Sequence, residues 1–320
     1  MPVILIFFLL FTGAYAHERT RYIMGIPVTV ISDDRSIHRK VFKVFSQIDG
    51  YFSLYRKDSL LCRLNTEKSL YMDRLFNELL QISFEVYRET GGYFDISLGN
   101  HTVRYGDSHE MCPLPENEST GMENIKVKGS LIALENGISL DFGGIGKGFA
   151  VDKAGALFRN SGVYGVIKAD SEVRCFGGCR VIIENPYGSG FFAVFETTGK
   201  ETGISTGGIY RRYKNSMDNN HLINPFTGAS ADKIVLISVF GDMPNSYLDG
   251  YSTAGAVMPV EKAVEFLNRK RLGFFILLRK GCYLAGRYNH LYIKKLQINP
   301  QFPECKEYKP EEDKNNSQDK

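Results

Sequence analysis

The chain has 320 residues, 43% of them hydrophobic and 12% aromatic, enough to bury one large core or two modest ones. Its formal charge is +3 and it carries no dense Lys/Arg run, so nothing in the charge pattern points to nucleic acid. The six cysteines, at 62, 112, 175, 179, 282 and 305, lack Cys-x-x-Cys or paired-His spacing, which argues against a zinc site.

Val3 to Phe11 is unbroken apolar sequence, and Ala14 and Ala16 give a small-x-small cleavage pattern before His17. Residues 1–16 therefore read as a signal peptide, too short to span a bilayer. No cysteine lies near residue 16, so an exported protein is expected and a lipid-anchored one is not. Arg21 to Ser32 reads as a first strand with Pro27 near an edge or bulge. Ile37, Val41, Val44, Phe45, Ile48 and Phe52 recur at helical spacing, and Ser53 to Ser59 is a polar loop carrying Tyr55. A second helix is predicted over 75–90, stopped by Gly91-Gly92. Residues 125–140 read as two short strands turning at Glu135-Asn136-Gly137.

Next comes Asp141-Phe-Gly-Gly-Ile-Gly-Lys-Gly-Phe-Ala-Val-Asp152, between the strand-like run 138–140 and a helix to about Asn160. A glycine-rich strand-to-helix junction lets backbone approach a phosphate closely, and Lys147 adds a point charge. The stretch lacks the Ser or Thr of a nucleoside-triphosphate loop and the βαβ setting of a dinucleotide fingerprint. With aspartates at both ends, it suggests a phosphate held with a metal nearby. Strands are predicted at 163–169, 172–176, 179–184, 191–197 and 233–240, helices at 246–258 and 260–268, and a last strand at 273–279. Cys175 and Cys179 either oxidise across a tight turn in an exported protein or stay as free buried thiols. Residues 306–320 are polar and charged, a disordered tail by composition. No repeat or mid-chain linker appears, so 17–305 is expected to form one α+β domain.

Asp249 and Thr253, four apart on a predicted helix, project oxygens from one face. That suits a partial Mg²⁺ shell, although ordinary helix capping also accounts for an acid there. His221, before an apolar pair and a proline turn, is a candidate general base. Tyr55 is either a surface aromatic or a plate for a flat ring.

In order along residues 21–285, these segments resemble the ApbE family of flavin transferases. They are Met24-Gly25, the Ser53-x-Tyr55-x-x-x-Ser59 loop with Asn65, Thr90 to Ile96, the Asp141 to Asp152 stretch, Ser205 to Tyr213, His221 to Gly228, and Asp249 to Thr253. The resemblance implies a T-fold-like α+β architecture of mixed or antiparallel sheets with packed helices. It implies transfer of FMN from FAD to a Thr or Ser of a partner protein, with Mg²⁺ required and AMP released. By position, Met24, Tyr55, Tyr93, Phe94, Asp95, Asp141, Lys147 and Ile223 would contact FAD. Gly144 (through its carbonyl), Asp249 and Thr253, with Ser252 beside them, would hold Mg²⁺, while His221 and Lys147 would act in catalysis. The implied partner is a flavoprotein subunit of a membrane redox complex or an exported reductase, and the implied location is the periplasm or envelope exterior. The chain departs from the family pattern at Asp170-Ser171, where Gly-Gly is usual, and at Asn224, Gly207 and Gly250-Tyr251. The side chains at 170 and 171 are expected to crowd or repel the flavin or its phosphate. That leaves two alternatives: an FAD pyrophosphatase with water as acceptor, and a non-catalytic FAD-binding member.

Overall fold

The computed structural model describes residues 17–102, 112–115 and 119–306. The expected signal peptide and residues 307–320 of the expected tail lie outside them. The chain opens with β1 (His17–Ile23), β2 (Ile26–Ser32), α1 (Arg35–Phe52), α2 (Leu60–Glu67), β3 (Ser69–Tyr71), α3 (Arg74–Glu89) and α4 (Gly99–Thr102). It continues with β4 (Ile125–Lys128), β5 (Leu131–Leu134), α5 (Gly146–Ser161), β6 (Gly165–Ala169), β7 (Glu172–Phe176), β8 (Arg180–Glu184), β9 (Phe191–Thr197) and β10 (Thr202–Gly208). It closes with β11 (Ile234–Gly241), α6 (Asn245–Val257), α7 (Val260–Arg269), β12 (Gly273–Leu278), β13 (Tyr283–Ala285), α8 (Asn289–Tyr292) and β14 (Ile293–Ile298).

An eight-stranded antiparallel sheet in the order β1-β2-β6-β7-β10-β11-β12-β13 forms the centre. Strand side chains alternate between faces, and the two inner strands show what each face meets. Val235, Ile237 and Val239 of β11, with Phe274 and Ile276 of β12, join the core shared with α1, α5 and α6. Leu236, Phe240, Phe275 and Leu277 join a second core with Phe192 and Phe195 of β9. Helices thus cover one face, while the small sheet β14-β9-β8 covers the other. Being buried on both sides is why β11 reads Ile-Val-Leu-Ile-Ser-Val-Phe-Gly with little alternation. The remaining sheet, β3-β5-β4, flanks α2.

Local chemistry sets the helix ends. Asp34 caps α1 by accepting from Ser36 N at 2.7 Å, and Asp73 caps α3 from Phe76 N at 2.9 Å. Gly91 and Gly92, both at positive φ, carry the chain out of α3.

Several expectations are corrected. The first strand is two, folded back through Met24 (φ 60°) and Gly25 (φ 70°). The 125–140 hairpin closes at Lys128-Gly129-Ser130, and Glu135 to Gly137 forms a later turn leading out of β5. The segment after Ser59 is helical (α2), and 273–279 is not the last strand, since β13 and β14 follow. Of the two alternatives for Cys175 and Cys179 the disulfide is the one present, and Cys62–Cys112 and Cys282–Cys305, for which no pairing is expected from the sequence, are bonded too.

Candidate active site

The Asp141 to Asp152 stretch is presented by a clamp laid down early in the chain. Asn65, buried at the end of α2, donates to Leu140 O (2.9 Å) and accepts from Leu140 N (2.7 Å). Asp141 N then donates to Ile96 O at 2.8 Å. Beyond that point the chain turns through Gly143 and Gly144 into α5. Gly148, in the first turn of α5, lies against the first turn of α6. A Cβ on it would sit 2.2 Å from Asn245 O. That absence of a side chain is what lets Gly148 N donate to Asp249 Oδ2 at 3.0 Å.

The start of α6 is fixed from across the same seam. Asp152 accepts from Asn245 N (2.7 Å) and Ser246 N (2.8 Å), supplying the cap that Pro244 lacks. Asp249 is therefore not a capping residue. It lies one turn further in, 3% exposed, with Lys147 Nζ 3.5 Å from its Oδ1. Thr253, on the next turn, donates to Gly144 O at 3.2 Å. The Asp249 carboxylate, the Thr253 hydroxyl and the Gly144 carbonyl thus converge across α5 and α6. Ser252, beside them, is bonded to Ser205 Oγ (2.9 Å) and to Asp249 O (3.0 Å).

Two groups that sequence reasoning missed stand behind this cluster. Glu172 is fully buried; Ser205 Oγ donates to its Oε1 at 2.7 Å and Asn245 Nδ2 to its Oε2 at 3.2 Å. Burial, reinforced by Asp249, pushes the Glu172 carboxyl well above its ordinary range. The signal was a lone acid in the all-buried strand Glu-Val-Arg-Cys-Phe, read only as a strand. In the sequence Asp152 only closes the glycine stretch, and its place as a cap on α6 emerges with the fold. Burial also raises Asp249, with Lys147 opposing it. Burial works against the Lys147 ammonium, yet Asp249, Glu172 and Asp170 hold it above its usual value.

Opposite stands the wall formed by residues 209–224, which returns on itself through the Tyr213–Asn220 bridge. Its outgoing leg carries Arg211 and Arg212, and its return leg His221 to Ile223. His221 bonds the Arg212 carbonyl through both N (3.2 Å) and Nδ1 (3.1 Å). Nδ1 is then the protonated nitrogen and Nε2 holds the lone pair. Burial, with Arg212 and Lys147 nearby, lowers the His221 pKa to about 4. The ring is neutral at physiological pH.

Met24, Tyr55, Tyr93, Phe94, Asp95, Asp141, Gly144, Lys147, His221, Ile223, Asp249, Ser252 and Thr253 all line one cavity of about 240 Å³. The sequence-assigned residues are thus brought together from six separate segments. Asp95, raised by burial, accepts from Ser97 N at 2.7 Å. Asp141 accepts from Thr102 Oγ1 (2.6 Å) and Gly143 N (2.7 Å). The expected repulsion at Asp170 is corrected. Its carboxylate pairs with Arg211, whose other arm reaches Glu184 at 2.7 Å.

The wall residues carry five aspartates (49, 95, 141, 170 and 249) against Lys147, Arg211 and Arg212. Among the lining groups, the Asp249 carboxylate, the Thr253 hydroxyl and the Gly144 carbonyl are hard oxygens of the kind that suits Mg²⁺. No group of three or more His, Cys, Asp or Glu side chains forms a metal cluster among the described residues.

The FAD:protein FMN transferase of Vibrio cholerae is 23% identical over 277 residues, covering 78% of this chain and 81% of that protein. The Escherichia coli K12 protein of the same name is 26% identical over 272 residues, covering 75% of this chain and 76% of its own length. The ApbE protein of Thermotoga maritima superposes with a TM-score of 0.78 at 21% identity, covering 88% of this chain and all of that one. The flavin transferase ApbE of V. cholerae gives 0.75 at 18% identity, with coverage of 88% and 100%. These structures share the α+β fold of antiparallel sheets and packed helices. Since the ApbE family model matches residues 24–276, the chain belongs to the ApbE family.

Proposed function

We propose that this protein is an FAD:protein FMN transferase. It moves the FMN half of FAD, with Mg²⁺, onto a Thr or Ser hydroxyl of a flavoprotein subunit and releases AMP. The observation that carries this reading is the convergence of all thirteen assigned residues on one cavity. The names of the relatives support the same activity.

Each group has work to do in that reaction. Tyr55, Tyr93 and Phe94 offer ring faces and edges for the isoalloxazine. The acceptor hydroxyl attacks the FMN-side phosphorus, the bond from that phosphorus to the bridging oxygen breaks, and AMP leaves as a phosphate anion. The hydroxyl proton passes to His221 Nε2, free because Nδ1–H is engaged by the Arg212 carbonyl. Lys147 brings positive charge to the phosphates from the first turn of α5. Asp249, Thr253 and the Gly144 carbonyl would hold Mg²⁺, which when bound neutralises the diphosphate and stabilises the leaving phosphate.

Residues 17–305 would act as one unit outside the cytoplasm. The pairing of all six cysteines supports an oxidising compartment such as the periplasm or envelope exterior. The test is incubation with FAD, Mg²⁺ and flavoprotein subunits of membrane redox complexes or exported reductases. Covalent flavin on the partner, with AMP formed in step, is expected. AMP formed without any acceptor would identify a pyrophosphatase, and FAD binding without AMP a non-catalytic member.

A further inference from the structure

We propose that Arg212 is the side chain that grips the diphosphate of the flavin nucleotide, and that its backbone aims the base at the phosphorus its side chain holds. This reading rests on the cavity being an FAD site, and Arg212 is not among the residues that the resemblance assigns to FAD, Mg²⁺ or catalysis.

Three cationic side chains line the cavity. Arg211 is committed, one arm to Asp170 and the other to Glu184. Lys147 is partly committed, 3.5 Å from Asp249 and donating to Gly143 O at 3.2 Å. Arg212 has no carboxylate partner among the described residues. Its guanidinium lies over the Tyr55 ring, 5.9 Å from the centroid. An aromatic face steadies a guanidinium without neutralising it, leaving the donors of the planar fork for a ligand. Arg212 lines the same cavity as Lys147 and His221, and it bears on the charge of both.

A guanidinium fork matches two phosphate oxygens, which an ammonium does not. In a cavity with five aspartates, the one uncommitted arginine is the group with most to gain from a diphosphate. The Arg212 carbonyl also receives both His221 N and Nδ1, at 3.2 and 3.1 Å. One residue therefore ties the phosphate to the base.

The test compares FAD with riboflavin, which has the same ring and no phosphate, by fluorescence titration of the full chain in Mg²⁺. Arg212→Gln is expected to weaken FAD binding about 10- to 100-fold with riboflavin little changed. Arg212→Lys should restore part of the loss. Inorganic pyrophosphate should compete with FAD in the parent and not in Arg212→Gln. Equal loss for both flavins, or an unchanged FAD-to-riboflavin ratio, overturns the proposal alone, because the parent's FAD binding still stands. No FAD binding by the parent protein overturns the cavity reading together with it.

Discussion

Gly148→Ala tests whether the seam between α5 and α6 builds the site. The new Cβ would lie 2.2 Å from Asn245 O, 2.6 Å from Asn245 C and 2.8 Å from Ser246 N. All three are backbone atoms, so no rotamer change relieves the clash. Reaching ordinary contact at 3.4 Å requires the two helices to part by about 1.2 Å. Overpacking of this kind costs about 1–3 kcal/mol, and backbone against backbone belongs at or above the top of that range. Alanine's better helix propensity returns about 1 kcal/mol. The net expectation is a loss of about 2–3 kcal/mol, a fall in Tm of roughly 3–5 °C for a chain of this length. The same displacement loosens the 3.0 Å bond from Gly148 N to Asp249 and widens the gap between Gly144 O and Thr253, so the Tm gain on adding Mg²⁺ should shrink as well. Gly146→Ala is the control. Its Cβ would meet only Phe142 Cβ at 3.9 Å, and removing a glycine from the unfolded chain should leave Tm equal or raised. The measurement is thermal denaturation followed by circular dichroism, with and without Mg²⁺. A Gly148→Ala protein that melts with the parent and keeps its full Mg²⁺ response would refute the seam argument.

Three further outcomes follow from the same geometry. Mg²⁺ at about 100 times its Kd should stabilise the parent by about 2.7 kcal/mol and leave Asp249→Asn unshifted; an equal shift in both would place the ion elsewhere. Because burial holds His221 near pH 4 in the free protein, kcat/KM should be level from about pH 8 down to about pH 5 and fall below that as the ring takes up a proton. An acid limb at about pH 6–7 that vanishes in His221→Ala would contradict the burial argument. Asp152→Ala strips two α6 amides of their carboxylate, at 2.7 and 2.8 Å, and should cost about 2–3 kcal/mol in urea denaturation, while a loss under about 0.5 kcal/mol would show that water replaces the cap.

Much of the site was legible because its chemistry is compressed into short runs. Asp141 to Asp152 carries its glycines, its lysine and both aspartates in twelve positions, and Asp249 with Thr253 shows the helical i, i+4 spacing directly. Short elements were less legible. Eight-residue α2 offers barely two turns of periodicity, and β14, Ile-Lys-Lys-Leu-Gln-Ile, is mostly exposed and so lacks the apolar alternation of a half-buried strand. The 125–140 hairpin contained two real turns, with Gly129 and Gly137 both at positive φ, and composition alone does not say which one closes the strand pair. What no spacing reveals is which charges neutralise one another. Glu172, Asp152 and Arg212 acquire roles only when segments far apart in the chain meet: Glu172 with Asn245, Asp152 with the start of α6, and Arg212 with Tyr55.

Asp170 shows the same point at a place where the sequence suggested the opposite conclusion. Where the family pattern has Gly-Gly, an aspartate at the cavity wall looks like a charge set against a phosphate. In the structure Asp170 stands in the left-handed region at φ 55°, a conformation glycine adopts freely, and its carboxylate is bound to Arg211. Asp170, Arg211 and Glu184 therefore form one ion-pair group, in which the guanidinium offsets much of the aspartate's charge towards the cavity. Asp170→Gly removes the acid and releases one arm of Arg211 towards the cavity, the other staying with Glu184. FAD should then bind more tightly, by about 3- to 10-fold, with riboflavin unaffected, since the gain is electrostatic and confined to the phosphates. Added salt should erode the gain, because the wall is open to solvent. Flavin titration of the variant at low and moderate ionic strength decides the matter. Weaker FAD binding would mean that Asp170 holds Arg211 in place for the ligand instead of holding it away.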